Sequence, residues 1–419
     1  MSGGLPISGI DGIAAPGWSR VADVFAANFE QGLELGSACC VYFEGRPVVD
    51  LWGGCADDRT GRRWAEDTVV GAFSTTKGAT AICTHMLAER GRLDPDALVT
   101  DYWPEYGAEG KDETRVSWFL SHKAGVPAVD AELTLEEVCA WEPAIRALEV
   151  QKPFWRPGEE YSYHAQTFGF LVGEVVRRVT SSSLGAFFAD EIAGPLGLAA
   201  WIGTPAEVEP RVAQLVQAPP PVDVEATRLT ILENLGIDAA SAPAVLAIMD
   251  ALAADPVAPR AANLGGAFPD GLLALNSPLV RAAELPASNI VTDARSLARM
   301  YAATIGEVDG VRLLQPETVE AMCVVQTADT PVFGAPDGLE EFADLFELRF
   351  GLGVMRPTRQ APLLGPSSFG HGGAGGSLGF ADPDAGVGFG YVMNRLITDG
   401  TNRRAAKLVT AVRDCLDSL

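Results

Sequence analysis

The stretch Thr68-Val69-Val70-Gly71-Ala72-Phe73-Ser74-Thr75-Thr76-Lys77-Gly78-Ala79-Thr80-Ala81 holds the decisive pattern of this chain. The apolar run 68–73 reads as a strand. The residues from about Thr75 to Arg90 read as a helix closed by Gly91, with Pro95 beyond it. Ser74 and Lys77 therefore lie three residues apart on one helical face, with Cβ atoms about 5–6 Å apart. A serine hydroxyl is a weak nucleophile until a base takes its proton. Lysine acts as that base only when it has lost its own proton. Burial and the positive end of the helix dipole both favour that loss. The same turn leaves the Ser74 N–H able to face a developing oxyanion. As a plain helix cap the tetrad is anomalous, because a capping box places Glu or Gln at its third position and the dipole disfavours lysine there. No other Ser-x-x-Lys occurs in the chain.

Working outward, residues 18–33 space their apolar side chains as a helix does. SACCVYFE (37–44), a turn around Gly45-Arg46 and PVVDLWGG (47–54) read as a β-hairpin that leads to the strand 68–73. From about 95 to 300 the pattern is mostly helical, clearest at 114–122, 166–180, 184–193 and 293–304. Within it, 205–285 is rich in Ala and Pro and reads as an irregular insertion. Strand signals return at 347–355, 376–383 and 386–394, with Pro383 to Gly386 as a turn. An amphipathic helix closes the chain from about Asn402 to Leu416. Strands at both ends with helices between them predict an α+β fold. One antiparallel sheet, built from 1–94 and 300–419 and flanked by the terminal helices, faces a mostly helical lobe of 95–299 across a ligand cleft.

The chain has 419 residues and a net charge of −24, which argues against nucleic acid and against anionic membrane surfaces. The N-terminal segment lacks the basic patch and apolar run of a signal peptide, and no run of about 18 apolar residues could span a bilayer. The seven cysteines are odd in number and include no Cys-x-x-Cys pair. Reduced thiols and a cytoplasmic location are therefore expected. No two of the four histidines have metal-ligand spacing, so neither metal nor cofactor is expected.

Two further segments carry chemistry. Pro157-Gly158-Glu159-Glu160-Tyr161-Ser162-Tyr163-His164-Ala165 precedes a helix, and one of its two tyrosines should face the cleft. A tyrosine beside a cationic lysine can have a depressed pKa and accept a proton. Gly370-His371-Gly372-Gly373-Ala374-Gly375-Gly376-Ser377 is a glycine-rich strand of the kind that lends N–H groups to a substrate. Gly375-Gly376-Ser377-Leu378-Gly379 also fits a nucleophile elbow, but that fold needs a histidine downstream. His85, His122, His164 and His371 all lie upstream. His85 is read as a packed or surface residue, His122 as the support of a turn, and His164 either as cleft lining or as pointing away.

In this order the three segments resemble the serine β-lactamase and penicillin-binding-protein superfamily, and most closely its class C-like carboxylesterases of family VIII. The resemblance runs from about 18 to 415 and includes WFLSHKAGVP (118–127), NIVTDARSLARMY (289–301) and HGGAGGSLGFADP (371–383). It implies a β-lactamase-like fold, Ser74 as the acylated nucleophile and Lys77 as its proton partner. It selects Tyr163 over Tyr161 as the catalytic tyrosine. His371-Gly372-Gly373 takes the place of the family's Lys-Thr-Gly, Ala374 offers the second oxyanion N–H beside that of Ser74, and His164 joins His371, Gly372 and Gly373 in contact with substrate. The chain departs from the β-lactamase pattern at Ala165, where Tyr-x-Asn has its asparagine, and at His371, a weaker cation than lysine. Both changes remove groups that would hold an anionic β-lactam. The expectation is a carboxylesterase acting on small esters through an acyl-enzyme on Ser74. A β-lactamase or DD-peptidase-like amidase, an acyltransferase and a non-catalytic binding protein are the alternatives. Oligomeric state is left open.

Overall fold

The structure, a computed structural model, describes residues 9–238, 240–336, 345, 348–359 and 361–419. Its main sheet contains β1 (Ile10–Ala14), β2 (Gly36–Phe43), β3 (Arg46–Asp57), β4 (Phe369–Gly372), β5 (Leu378–Asp382) and β6 (Val387–Met393). They lie in the spatial order β1-β3-β2-β6-β5-β4, every neighbouring pair antiparallel. The two ends of the chain meet where β2 pairs with β6, from Ser37 opposite Met393 to Phe43 opposite Val387. The β2–β3 turn falls on Glu44-Gly45, one residue earlier than the sequence suggests. Both residues have positive φ, the conformation of a type I′ hairpin turn. β1 lies in a stretch where the sequence showed no strand pattern, and only its pairing with β3 identifies it.

Five helices bear on the site: α1 (Ser19–Glu30), α2 (Thr76–Glu89), α3 (Thr167–Thr180), α4 (Ala294–Ile305) and α5 (Arg404–Leu416). The terminal helices α1 and α5 pack on each other, while α4 lies across β2, β5 and β6. Two glycines of β6 permit that close approach. A Cβ at Gly390 would come within 2.1 Å of the Ala294 carbonyl oxygen, and one at Gly388 within 2.5 Å of that of Ala298. Covered in this way, β2 and β6 are buried along nearly their whole length, which explains their almost unbroken apolar sequence. The fold is α+β, as expected. Among the described residues, no single helix is long and apolar enough to cross a membrane.

Three expectations need correction. The run 68–73 does not extend the hairpin sheet. Only Val70–Gly71 is strand, and it pairs with Val291–Thr292 in a separate small sheet. The stretch 347–355 is not a strand: its described residues make only isolated bridges, Phe350 with Met355 and Met355 with Gly370, and Glu347 lies outside the described residues. The segment 205–285 is not irregular. It holds the helices Val224–Asn234, Ala242–Ala253 and Val257–Asn263. Pro243 and Pro256, part of the Ala and Pro richness that suggested irregularity, stand at helix starts, where a missing N–H has no cost.

Candidate active site

Ser74 lies in the turn between the short strand Val70–Gly71 and α2. The residue before it, Phe73, is forced to φ +50°, a rare and strained conformation for a bulky side chain. The segment 289–290 holds it there. Phe73 bridges to Asn289, Ala72 N–H donates to Ile290 O at 2.9 Å, and Ile290 N–H donates to Thr76 Oγ1 at 2.9 Å. Asn289 is fully buried, with its amide donating to Val280 O and Ala283 O. From Thr75 to Gly78 every backbone N–H is taken within the turn. That of Ser74 has no acceptor among the described residues.

Lys77 projects from the first turn of α2 and is completely buried. Its Nζ lies 3.3 Å from Ser74 Oγ, 2.7 Å from Ala165 O and 3.0 Å from Ala287 O. Burial pushes its pKa well below the usual lysine value. A neutral amine has two N–H donors and one lone pair. The two carbonyls can take the donors, which leaves the lone pair for the Ser74 hydroxyl proton.

Of the two candidate tyrosines, Tyr163 is at this site. Its ring lies 4.8 Å from Lys77 Nζ, and its hydroxyl is hydrogen-bonded to Ser74. Tyr161 instead continues a backbone bridge with Val332. The expectation of a depressed tyrosine is reversed. Burial raises the Tyr163 pKa above the ordinary phenol value, outweighing its hydrogen bond with Ser74. At rest the phenol keeps its proton, and the basic group of the pair is the amine.

Three histidines surround this pair. His371 Nδ1 lies 2.7 Å from Gly372 O, which can only accept, so Nδ1 carries the proton. Its Nε2 is therefore a bare acceptor, buried without a partner among the described residues. Burial, reinforced by Lys77, pushes this histidine down to about 3. His164, expected to contact substrate, is corrected. It is fully buried, its Nδ1–H donates to Ser162 O at 2.6 Å, and its Nε2 accepts from Val126 N–H at 3.2 Å. With both nitrogens engaged, it braces the tyrosine loop. His122, read as a turn support, packs 4.8 Å from the Tyr163 ring and accepts at Nδ1 from His164 N–H. Its positive φ of +62° is a conformational signal absent from the letters of the sequence. His85 is buried in α2, with its Nε2 2.8 Å from Leu352 O.

The glycine-rich strand closes the other side. Gly373 donates its N–H to Ser377 O at 2.8 Å, and Ser377 Oγ donates to Ala72 O at 2.8 Å, which ties β4 and β5 to the nucleophile turn. Ala374 follows as the first residue of a helical turn, 374–376, and its N–H has no acceptor among the described residues. Asn402 and Arg404 anchor this turn by donating to Gly375 O at 2.8 and 2.7 Å. Arg404 is buried and paired with Glu34 at 2.8 Å. A Cβ at Gly373 would stand 2.2 Å from Ala72 O. Gly373→Ala is expected to push the strand off the turn and lower kcat/KM for an activated ester by about 10²-fold, the scale of losing one oxyanion donor. Unchanged turnover in that variant would show that the two segments need not touch.

With this geometry in view, comparison with known proteins is informative. A family model described as "Beta-lactamase" matches residues 25–413. A Mycobacterium tuberculosis protein described as esterase/beta-lactamase LipL is 34% identical over 395 residues, covering 92% of this chain and 83% of its own. The crystal structure of a family VIII carboxylesterase aligns with a TM-score of 0.79 at 33% identity, covering 97% of this chain and 99% of its own. EstA from Arthrobacter nitroguajacolicus Rue61a aligns with a TM-score of 0.79 at 31% identity and the same coverage.

Proposed function

The chain belongs to the beta-lactamase family, and from that premise we propose that it is a carboxylesterase acting through an acyl-enzyme on Ser74. In this reading Lys77 takes the Ser74 proton as Oγ attacks the ester carbonyl. The N–H groups of Ser74 and Ala374 hold the oxyanion. The ester C–O bond then breaks, and the proton passes from Lys77 through the Tyr163 hydroxyl to the departing alkoxide. Water gives its proton to the same pair and attacks the acyl carbon; the bond from that carbon to Ser74 Oγ breaks, the pair returns the proton to Oγ, and the acid is freed.

The observation that carries the choice of ester over β-lactam is the state of His371. A β-lactam brings a carboxylate, and a site that holds it benefits from a fixed cation. His371 stands where the family places lysine, yet burial keeps it uncharged across the neutral range. Lys77 is buried behind Ser74 with its pKa lowered, and burial lowers the neighbouring His122 and His164 as well. A neutral ester asks for no such cation.

The test compares kcat/KM of the purified protein for p-nitrophenyl butyrate and for the cephalosporin nitrocefin. The ester is expected to win by at least about 10²-fold, the scale of a lost buried charge contact. A higher value for nitrocefin would overturn the assignment.

A further inference from the structure

The turn 374–376, which carries the Ala374 N–H, is fastened from behind by segments near both ends of the chain. Two of its peptide units are linked in series. Gly375 O accepts from Asn402 Nδ2 at 2.8 Å and from Arg404 Nη2 at 2.7 Å. The N–H of that same peptide unit belongs to Gly376 and donates to Gly373 O at 3.1 Å. Gly373 O in turn shares its peptide unit with the Ala374 N–H. A peptide unit is planar, and in the trans form its C=O and N–H point opposite ways. Holding Gly375 O therefore aims the Gly376 N–H, and holding Gly373 O fixes the direction of the Ala374 N–H.

Arg404, the first residue of α5, is buried, and its guanidinium uses all three nitrogens. Nε donates to Asn402 Oδ1 at 3.1 Å. Nη1 donates to Leu33 O at 3.1 Å and to Glu34 Oε2 at 2.8 Å. Nη2 donates to Gly375 O and, at 2.9 Å, to Arg395 O. The other oxygen of Glu34 accepts from the Tyr391 hydroxyl. A planar fork with this many partners is held in one orientation.

We propose that Arg404 is a positioning residue for ester hydrolysis: through these two peptide units it orients and polarises the Ala374 N–H that holds the oxyanion. The inference rests on the esterase reading above. Hydrogen bonds in series polarise one another in a low-dielectric interior, and a charged donor at the head of the series is the strongest kind. Glu34 balances the charge from the other terminal nitrogen. The effect is greatest when the substrate oxygen becomes an anion, so its loss falls on kcat rather than on KM.

Arg404→Lys keeps a cation beside Glu34 but loses the fork. With sites counted by fluorophosphonate labelling to completion, kcat per site for p-nitrophenyl butyrate is expected to fall at least about tenfold, less than the loss of a whole oxyanion donor. KM should stay near the wild-type value. Butylboronic acid, which forms a tetrahedral adduct on the serine, should lose affinity by a similar factor. Asn402→Ala removes one of the two donors to Gly375 O and leaves Arg404 paired with Glu34. It should act in the same direction by at least about threefold, the scale of one neutral hydrogen bond, and it carries the test if Arg404→Lys does not fold. Val412→Ala, at a buried position of α5, should lower the melting temperature and leave kcat per site and boronate affinity unchanged. An active wild type matched by both site variants in kcat per site and boronate affinity would overturn the positioning role alone. So would an equal loss in Val412→Ala. A wild type without ester turnover would overturn the esterase reading and this inference with it.

Discussion

Ser74→Ala is expected to lower kcat for p-nitrophenyl butyrate by about 10⁴-fold or more, the scale seen when a covalent nucleophile is removed. The same variant should no longer be labelled by a fluorophosphonate, which reacts only with an activated serine. The fold should survive, because Ser74 is half-buried and, among the described residues, its hydroxyl bonds only Lys77 and Tyr163. A far-UV spectrum and melting curve close to wild type would assign the loss to chemistry. Equal turnover in both proteins would remove Ser74 from the mechanism. A wild type that is neither active nor labelled would favour the binding-protein alternative, in which the pocket is kept and the chemistry is not.

Lys77→Met is expected to cost about 10³-fold in kcat/KM, the contribution of a well-placed general base. Methionine has similar length and no lone pair of comparable basicity. It leaves Ala165 O and Ala287 O without their donor, and each such buried carbonyl costs about 1–3 kcal/mol. The variant should therefore also melt earlier. The pH profile separates these effects. Burial lowers the Lys77 pKa, so wild-type kcat/KM should rise as pH climbs through that depressed value and the amine becomes neutral. The variant should lack this limb. Stability has a matching sign. Between the depressed pKa and the ordinary lysine value, the unfolded chain binds the proton that the folded chain has lost. The cost of keeping Lys77 neutral is therefore greatest at low pH and fades as pH rises toward the unfolded value. Urea unfolding of both proteins across pH would show wild type gaining on the variant as pH increases. A wild-type profile without an acid limb would contradict a lysine base.

Much of the architecture was legible because it is encoded locally. The alternation and turn residues of 37–54 and 376–394 defined two hairpins, and the structure decided that they join through β2 and β6. The short strand at Val70 and the bridges around Phe350 were misread because an apolar run has the same letters whether it joins a large sheet or packs singly. The helices of 224–263 were missed because a composition rich in Ala and Pro was read as irregular, although Pro243 and Pro256 stand where helices start. β1 is recognisable only by its partner, Leu51 and its neighbours on β3.

The candidate site divides along the same line. Ser74 and Lys77 are three residues apart on one helix, so backbone geometry alone brings their side chains together, and the sequence by itself determined that pairing. The glycines of 370–376 were read as a strand that a substrate approaches closely; the structure ends the strand at Gly372 and brings Ala72 against Gly373. Spacing left both tyrosines open, and the resemblance to the family selected Tyr163, the one placed against Ser74. Tertiary structure alone decided that His164 is engaged by Ser162 and Val126, and that His122 lies under Tyr163. It also decided the charge states on which the chemistry turns. A pKa responds to desolvation and to neighbours from every element packed around the group. Lys77 is buried where the segments near 165 and 287 meet it, and His371 is lowered by burial and by Lys77. Spacing along the chain records which groups share a helix face, but not how much water the folded chain leaves beside them.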